Sequence, residues 1–125
     1  MKAKIILSIF IIVSFIGCVG PLVPVIDLKG VNRQDLIGSQ KIRTYVVGQM
    51  PPDGFTVLEP LEAWSCKNKT WDRPATKGNA LRQLKLLAYR LGATALMDVE
   101  FTGHNTDYGT NCWNSVHASG TAIKY

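Results

Sequence analysis

Three cysteines and two histidines are the residues of this chain with the most distinctive chemistry. Cys18, Cys66 and Cys112 carry thiols, which can be acylated, form a disulfide, bind a metal or act as nucleophiles. His104 and His117 carry imidazoles, which bind metals and transfer protons near neutral pH. Because the number of cysteines is odd, one of them stays alone if the other two form a disulfide. The surroundings of each thiol therefore decide its role.

The segment before the first cysteine is typical of an export signal. Two lysines precede residues 5–16, of which only two serines are not apolar. These twelve residues are too few for a transmembrane helix, which needs about 20, and suit the apolar region of a signal peptide. The sequence Phe-Ile-Gly-Cys at 15–18 resembles the lipobox of bacterial lipoproteins. We predict a lipoprotein signal peptide at 1–17; an uncleaved anchor or a secreted chain with an incidental cysteine are the alternatives.

The lipobox resemblance implies that Cys18 carries the membrane anchor. In such signals the thiol is diacylated, the chain is cut before the cysteine, and the new amino terminus is acylated too. Two or more acyl chains hold a protein stably on a bilayer. By resemblance to sorted lipoproteins of Gram-negative bacteria, Val19 in place of aspartate permits release to the outer membrane. We expect a lipid-anchored protein of the outer membrane that faces the periplasm or the cell surface.

Acylation of Cys18 leaves Cys66 and Cys112 as an even pair. Exported proteins fold in an oxidising compartment, where disulfides form and persist. We therefore predict a Cys66–Cys112 disulfide. For a bond that closes the loop between these two cysteines, the chain-entropy model gives about 4 kcal/mol of stability. The alternatives are two free buried thiols, or a reactive cysteine with a histidine base.

Length and composition exclude several classes of protein. The 125 residues suffice for one domain, and 46% hydrophobic with 18% charged residues are ordinary values for a globular chain. A polytopic membrane protein, a zinc-finger array and a large multidomain enzyme are excluded. Removal of the signal leaves twelve basic against nine acidic residues, a mild and scattered excess. We expect no nucleic-acid partner, because such proteins concentrate their basic residues in a patch.

The mature chain divides into a connecting segment and a domain. Residues 18–40 contain two prolines and three glycines and show no sustained hydrophobic period. They are predicted to form an extended, lipidated tether with one short docked element, because several of their residues are apolar. Residues 41–125 carry the alternating and helical patterns of a globular domain.

Four strands and one helix are predicted within this domain. The strands lie at 41–47, 55–66, 93–101 and 112–125. In the second of them, Pro60 requires an edge position or a bulge, because proline has no amide hydrogen to donate. In the third, residues 95, 97, 99 and 101 are predicted to share one face.

Leucines at helical spacing predict the helix at 75–91. Thr76 or Asn79 can cap its start, and Gly92 can adopt the left-handed conformation that ends it. The predicted fold class is α+β. It consists of a small, mainly antiparallel sheet of three or four strands, with one helix packed on one face and a disulfide as a cross-link.

Three stretches of the domain resemble the Rcs stress-sensing outer-membrane lipoproteins (RcsF-like). They are WSCK at 64–67, LKLLAYRLGATAL at 84–96 and NCWNSVHASGTAIKY at 111–125. The resemblance covers 41–125 and the signal. It implies that Cys66 and Cys112 form one of the family's two disulfides. The positions of the second fall near Phe101 and Ala118, and the segment 18–40 is shorter than the family's tether.

The resemblance also implies a function. Members of the family sense envelope damage and relay it by contact with outer-membrane β-barrel proteins and an inner-membrane inhibitor of a phosphorelay. We expect the same role here. The alternative is a structural or surface-exposed lipoprotein without a signalling role.

A polar loop at 67–74 offers the predicted surface for partner proteins. Its basic and aromatic residues are typical of interface anchors. They are Lys67, Lys69, Trp71 and Arg73. The alternative is a solvated loop with Trp71 folded over the core.

Catalytic and metal-binding roles have little support in the sequence. His104, Asp107 and His117 could supply zinc ligands if the fold gathered them, which keeps a small metal-binding periplasmic protein as a further alternative. Their spacing matches no named ligand motif, and no nucleophile or phosphate-binding motif is present in the sequence. We expect no enzyme activity, no catalytic residue, no bound metal and no cofactor.

Overall fold

Residues 20–103 and 109–125, which the computed structural model describes, contain four strands that form one mixed sheet. The strands are β1 (Arg43–Val46), β2 (Thr56–Lys67), β3 (Ala95–Thr102) and β4 (Asn114–Lys124). Their order across the sheet is β1-β3-β4-β2, with β1 parallel to β3 and the other pairs antiparallel. The predicted α+β fold with a mainly antiparallel sheet is confirmed. The predicted signal peptide at 1–17, Cys18, His104 and Asp107 lie outside the described residues.

The same residues contain two α-helices, α1 (Arg33–Gln40) and α2 (Lys77–Leu91). Thr76 caps the start of α2, because its Oγ1 accepts a hydrogen bond from the Asn79 backbone N–H at 3.0 Å. Gly92 follows the helix as its C-cap, with a φ of 86°, a conformation that glycine adopts without steric cost. The predicted helix is confirmed, with Thr76 as its cap. It packs on one face of the sheet, and α1 packs against α2.

Small residues in the strands let α2 approach the sheet closely. Ala63 of β2 and Ala118 and Ala122 of β4 are buried beneath the helix. A Cβ atom at Gly120 would lie only 2.9 Å from Cγ2 of Val99. The larger side chains of this core include Leu84 of α2 and Leu96 and Val99 of β3.

A bulge divides β3 at Asp98, whose φ is 52°. The register with β4 shifts here, so Leu96 and Val99 both pack in the core beneath α2 although they are three residues apart. Ala95 then lies on the opposite face of the sheet. The prediction that residues 95, 97, 99 and 101 share one face is therefore wrong, because an extra residue reverses the alternation of a strand.

Pro60 lies in β2, which is an edge strand. The register of β2 with β4 also shifts between Val57 and Pro60. Pro60 was predicted to require either an edge position or a bulge, and the structure has both. We call the sheet face away from α2 the open face.

The segment 47–55 connects β1 to β2 at the opposite edge of the sheet, and its course over the open face accounts for the full burial of Ala95 there. Pro51 is buried in this crossing, and Oη of Tyr125 donates a hydrogen bond to the carbonyl of Pro52 at 2.6 Å. The ring of Phe55 packs edge-on against Tyr125, with centroids 6.0 Å apart. The crossing thus covers the end of the open face where β2 begins and β4 ends.

Residues 20–40 lie against the domain. The backbone N–H of Leu22 donates to the carbonyl of Thr110 at 2.8 Å, and that of Ile26 donates to Oε1 of Gln83, also at 2.8 Å. A 3-10 turn at Leu28–Gly30 follows, and then α1. The expected short docked element corresponds to α1. The rest of this segment differs from an extended tether, because the domain supplies acceptors for its backbone.

Candidate functional site at the disulfide end of the sheet

A disulfide joins Cys66, near the end of β2, to Cys112, two residues before β4. The two Cα atoms are 5.5 Å apart, and Cys112 is fully buried. The predicted disulfide is confirmed. Strand β2 ends and strand β4 begins at the same end of the sheet, next to this bond. We call it the disulfide end.

The loop 67–74, which follows Cys66, is organised around Asp72. Its Oδ2 accepts hydrogen bonds from the backbone N–H groups of Asn68 at 3.0 Å and Lys69 at 2.9 Å. These two donors, more than any other group, hold the pKa of Asp72 below its usual value. Nζ of Lys67 donates to the carbonyls of Thr70 and Asp72. The loop is therefore a hydrogen-bonded turn.

The four predicted contact residues have different roles in this loop. Lys69, Trp71 and Arg73 are exposed, whereas Lys67 is half-buried and stabilises the turn from within. Trp71 is 80% exposed, so it does not fold over the core. Nζ of Lys69 lies 5.7 Å from the centroid of the Trp71 ring, within the range of a cation–π interaction.

Trp113 adds a second exposed aromatic side chain at the same end. It is 51% exposed, and its backbone N–H donates to the carbonyl of Lys67 at 2.6 Å. Sequence analysis did not select Trp113, because the contact between its backbone and the loop is made across strands. The feature of the sequence that could have identified Trp113 is its position directly after Cys112.

Asn111 connects the loop to the beginning of the described chain. Its Nδ2 donates to the carbonyl of Gly20 at 3.2 Å, and its own carbonyl accepts from Nδ2 of Asn68 at 2.7 Å. Asn111 has a φ of 54°, a conformation that asparagine tolerates better than most residues. Gly20 is therefore fixed at the disulfide end.

His117 lies on the open face. Its ring packs against that of Trp64, its cross-strand partner, with centroids 4.6 Å apart. Nδ1 lies 3.2 Å from Oγ1 of Thr102, and Nε2 lies 3.5 Å from Oε1 of Glu62. Within 20–103 and 109–125, no three His, Cys, Asp or Glu side chains are arranged to hold a metal ion. His104 and Asp107 are outside these ranges, so the alternative of a zinc site formed by these two residues and His117 is not tested by the structure.

No protein-family model matches this chain, and no curated protein sequence matches it. The resemblance to the Rcs lipoproteins therefore rests on the three stretches quoted above. Among the described helices, none has the length and hydropathy that a transmembrane segment requires.

Proposed function

We propose that the protein is a lipid-anchored sensor of the bacterial envelope, which relays outer-membrane or cell-wall damage to a phosphorelay through protein–protein contacts. The observation that carries the proposal is the Cys66–Cys112 disulfide. Structural disulfides persist in exported proteins and are rare in the reducing cytosol. The bond thus supports export through the predicted signal at 1–17, and with it acylation of Cys18.

A sensor that acts by contact needs an exposed surface for its partner. The crossing segment 47–55 presents Val47 at 60% and Met50 at 87% exposure, at a distance from the disulfide end. Flexible methionine side chains adapt to differently shaped partner surfaces. This surface supports a contact with a β-barrel protein or with the phosphorelay inhibitor.

Deletion of the gene tests the signalling role. A sensor is required for the transcriptional response to envelope damage, so the deletion strain should lose induction of the stress genes. Complementation with the intact chain should restore induction, and complementation with Met50→Asp should restore it less well. Glu59→Ala, another exposed substitution, is the matched control. An unchanged response in the deletion strain would contradict the sensor role.

A structural lipoprotein is the second candidate, and the short connection to the membrane favours it. Gly20 is two positions after Cys18, with one residue between them, so their Cα atoms are at most about 7 Å apart. The domain would then stay beside its own membrane, and an inner-membrane partner would have to extend towards it. A deletion strain with a normal stress response and altered envelope permeability would support this candidate.

A further inference from the structure

We propose that the disulfide end of the sheet docks on the membrane surface, with Trp71 and Trp113 among the lipid headgroups and Lys69 and Arg73 against anionic headgroup phosphates. The inference deepens the proposed function and rests on acylation of Cys18. It assigns the exposed loop residues to a lipid surface.

The position of Gly20 gives the first argument. Its carbonyl is bound to Asn111 at the disulfide end, and the next backbone contact, from Leu22 to Thr110, holds the chain there. Residue 18 lies two residues before Gly20, within about 7 Å by the reach of an extended chain. An acyl group on residue 18 therefore brings this end of the domain to the bilayer.

The side chains around Gly20 give the second argument. Three large apolar residues are exposed there, and such residues are common at membrane surfaces. They are Leu22 at 61%, Trp71 at 80% and Trp113 at 51% exposure. Tryptophan in particular prefers the headgroup level, because its ring is amphipathic. Each of the three belongs to a segment that hydrogen bonds hold at this end.

The charge distribution of the loop gives the third argument. Asp72, its only acidic residue, accepts hydrogen bonds from the loop's own backbone, whereas Lys69 and Arg73 extend into solvent. Basic residues near a membrane surface are attracted to anionic lipids. Anchoring by acyl chains is strengthened by such a second signal.

A protein partner fits this surface less well than lipid. With residue 18 within about 7 Å of Gly20, the space between the disulfide end and the bilayer is too narrow for a folded domain. A partner protein would have to displace the membrane contact of the same loop. We therefore assign the loop to phospholipid headgroups.

Fluorescence quenching by brominated phospholipids tests the docking. The full acylated chain is placed in vesicles of phosphatidylethanolamine and phosphatidylglycerol that carry bromine near the headgroup. In three variants, only one of the three tryptophans is retained and the others are replaced by phenylalanine. We expect loss of emission from Trp71 and Trp113, and unchanged emission from Trp64, which packs on His117. Retention of the disulfide, measured by alkylation, confirms that each variant is folded.

Charge-reversal variants test whether Lys69 and Arg73 bind anionic lipid or merely lie near the membrane. Lys69→Glu with Arg73→Glu should reduce the quenching of Trp71, whereas the control pair Lys29→Glu with Lys124→Glu should not. The quenching should also fall in vesicles of phosphatidylcholine alone, because they lack anionic headgroups.

The outcomes distinguish the docking from the anchor. Acylation of Cys18, measured by mass spectrometry, and flotation with vesicles test the anchor. A chain that is acylated and floats, but whose Trp71 and Trp113 are not quenched, overturns the docking and leaves the anchor intact. Crosslinking of position 71 to a protein in native membranes, without quenching, likewise overturns it in favour of a protein interface. A chain without acyl groups overturns both proposals.

Discussion

Gln83 accepts a hydrogen bond from the backbone N–H of Ile26 at 2.8 Å, across 57 positions of sequence. The Gln83 side chain lies in α2, is 1% exposed, and donates from Nε2 to Oδ1 of Asn79. A buried amide whose donor and acceptor are both used fixes its partner in one position. Residues 20–40 are therefore part of the fold, which keeps the domain close to residue 18.

Replacement of Gln83 by leucine should release this segment. The Ile26 N–H then loses its acceptor, and the loss of such a part-buried hydrogen bond costs about 0.5–1.5 kcal/mol. We expect faster amide hydrogen exchange at Ile26 and a lower free energy of unfolding. Gln34→Leu, at an exposed position of α1, is the control and should change neither. Unchanged exchange at Ile26 in the Gln83 variant would contradict the role of this side chain.

Replacement of Gly120 by alanine should destabilise the domain. The added methyl group would lie 2.9 Å from Cγ2 of Val99 and 3.6 Å from Cδ2 of Leu84, both of them buried. Overpacking of a core of this kind costs about 1–3 kcal/mol. Chemical denaturation measures the loss. Ser119→Ala, which places its methyl group on the open face, is the control, and equal stability of the two variants would argue against close packing of α2.

The sequence predicts the elements of this fold better than it predicts their contacts. Local signals were sufficient for the α2 helix, because Thr76 and Gly92 act through neighbouring backbone groups. Pro60 was also sufficient to predict an edge position or a bulge in its strand, because proline has no amide hydrogen to donate to a neighbouring strand. The bulge at Asp98 was missed, since nothing in the alternation from 95 to 101 indicates an extra residue.

The candidate site was predicted only in part, for a similar reason. The disulfide was predicted from the number of cysteines together with the predicted export signal, and the loop residues were predicted from their types. The contacts of Asn111 with Gly20 and Asn68 join residues 91 and 43 positions away, and no local pattern encodes them.

Replacement of Thr44 by valine should stabilise the domain. Thr44 Oγ1 is buried in β1 and has no hydrogen-bond partner in the described part of the chain. Valine has nearly the same shape and removes the unsatisfied hydroxyl, so the free energy of unfolding should rise by about 1 kcal/mol. Denaturant unfolding measures the gain. Thr56→Val, at an exposed position of β2, should have little effect, and a loss of stability in the Thr44 variant would indicate a hidden partner.

The order of the loop 67–74 should depend on the ionisation of Asp72. Because the N–H groups of Asn68 and Lys69 donate to its carboxylate, the pKa of Asp72 in the folded chain is below the ordinary value of 3.8. A lowered pKa in the folded state means that the stabilisation is present above the ordinary value and is lost as the pH falls through the folded-state pKa. We expect Asp72→Ala to increase amide exchange at Asn68 and Lys69 at pH 7, after correction for intrinsic rates.

At a pH below the folded-state pKa, Asp72→Ala and the unaltered chain should exchange these two amides at similar corrected rates, because the carboxyl group is then protonated in the unaltered chain. Asp53→Ala, at an exposed position of the crossing segment, is the matched control and should have no effect on the loop at either pH. A pH-independent difference at Asn68 would show that the carboxylate charge does not order the turn. If the loop loosens as expected, Asp72→Ala should also reduce the quenching of Trp71 by brominated lipid, since the turn that presents this side chain is then no longer fixed.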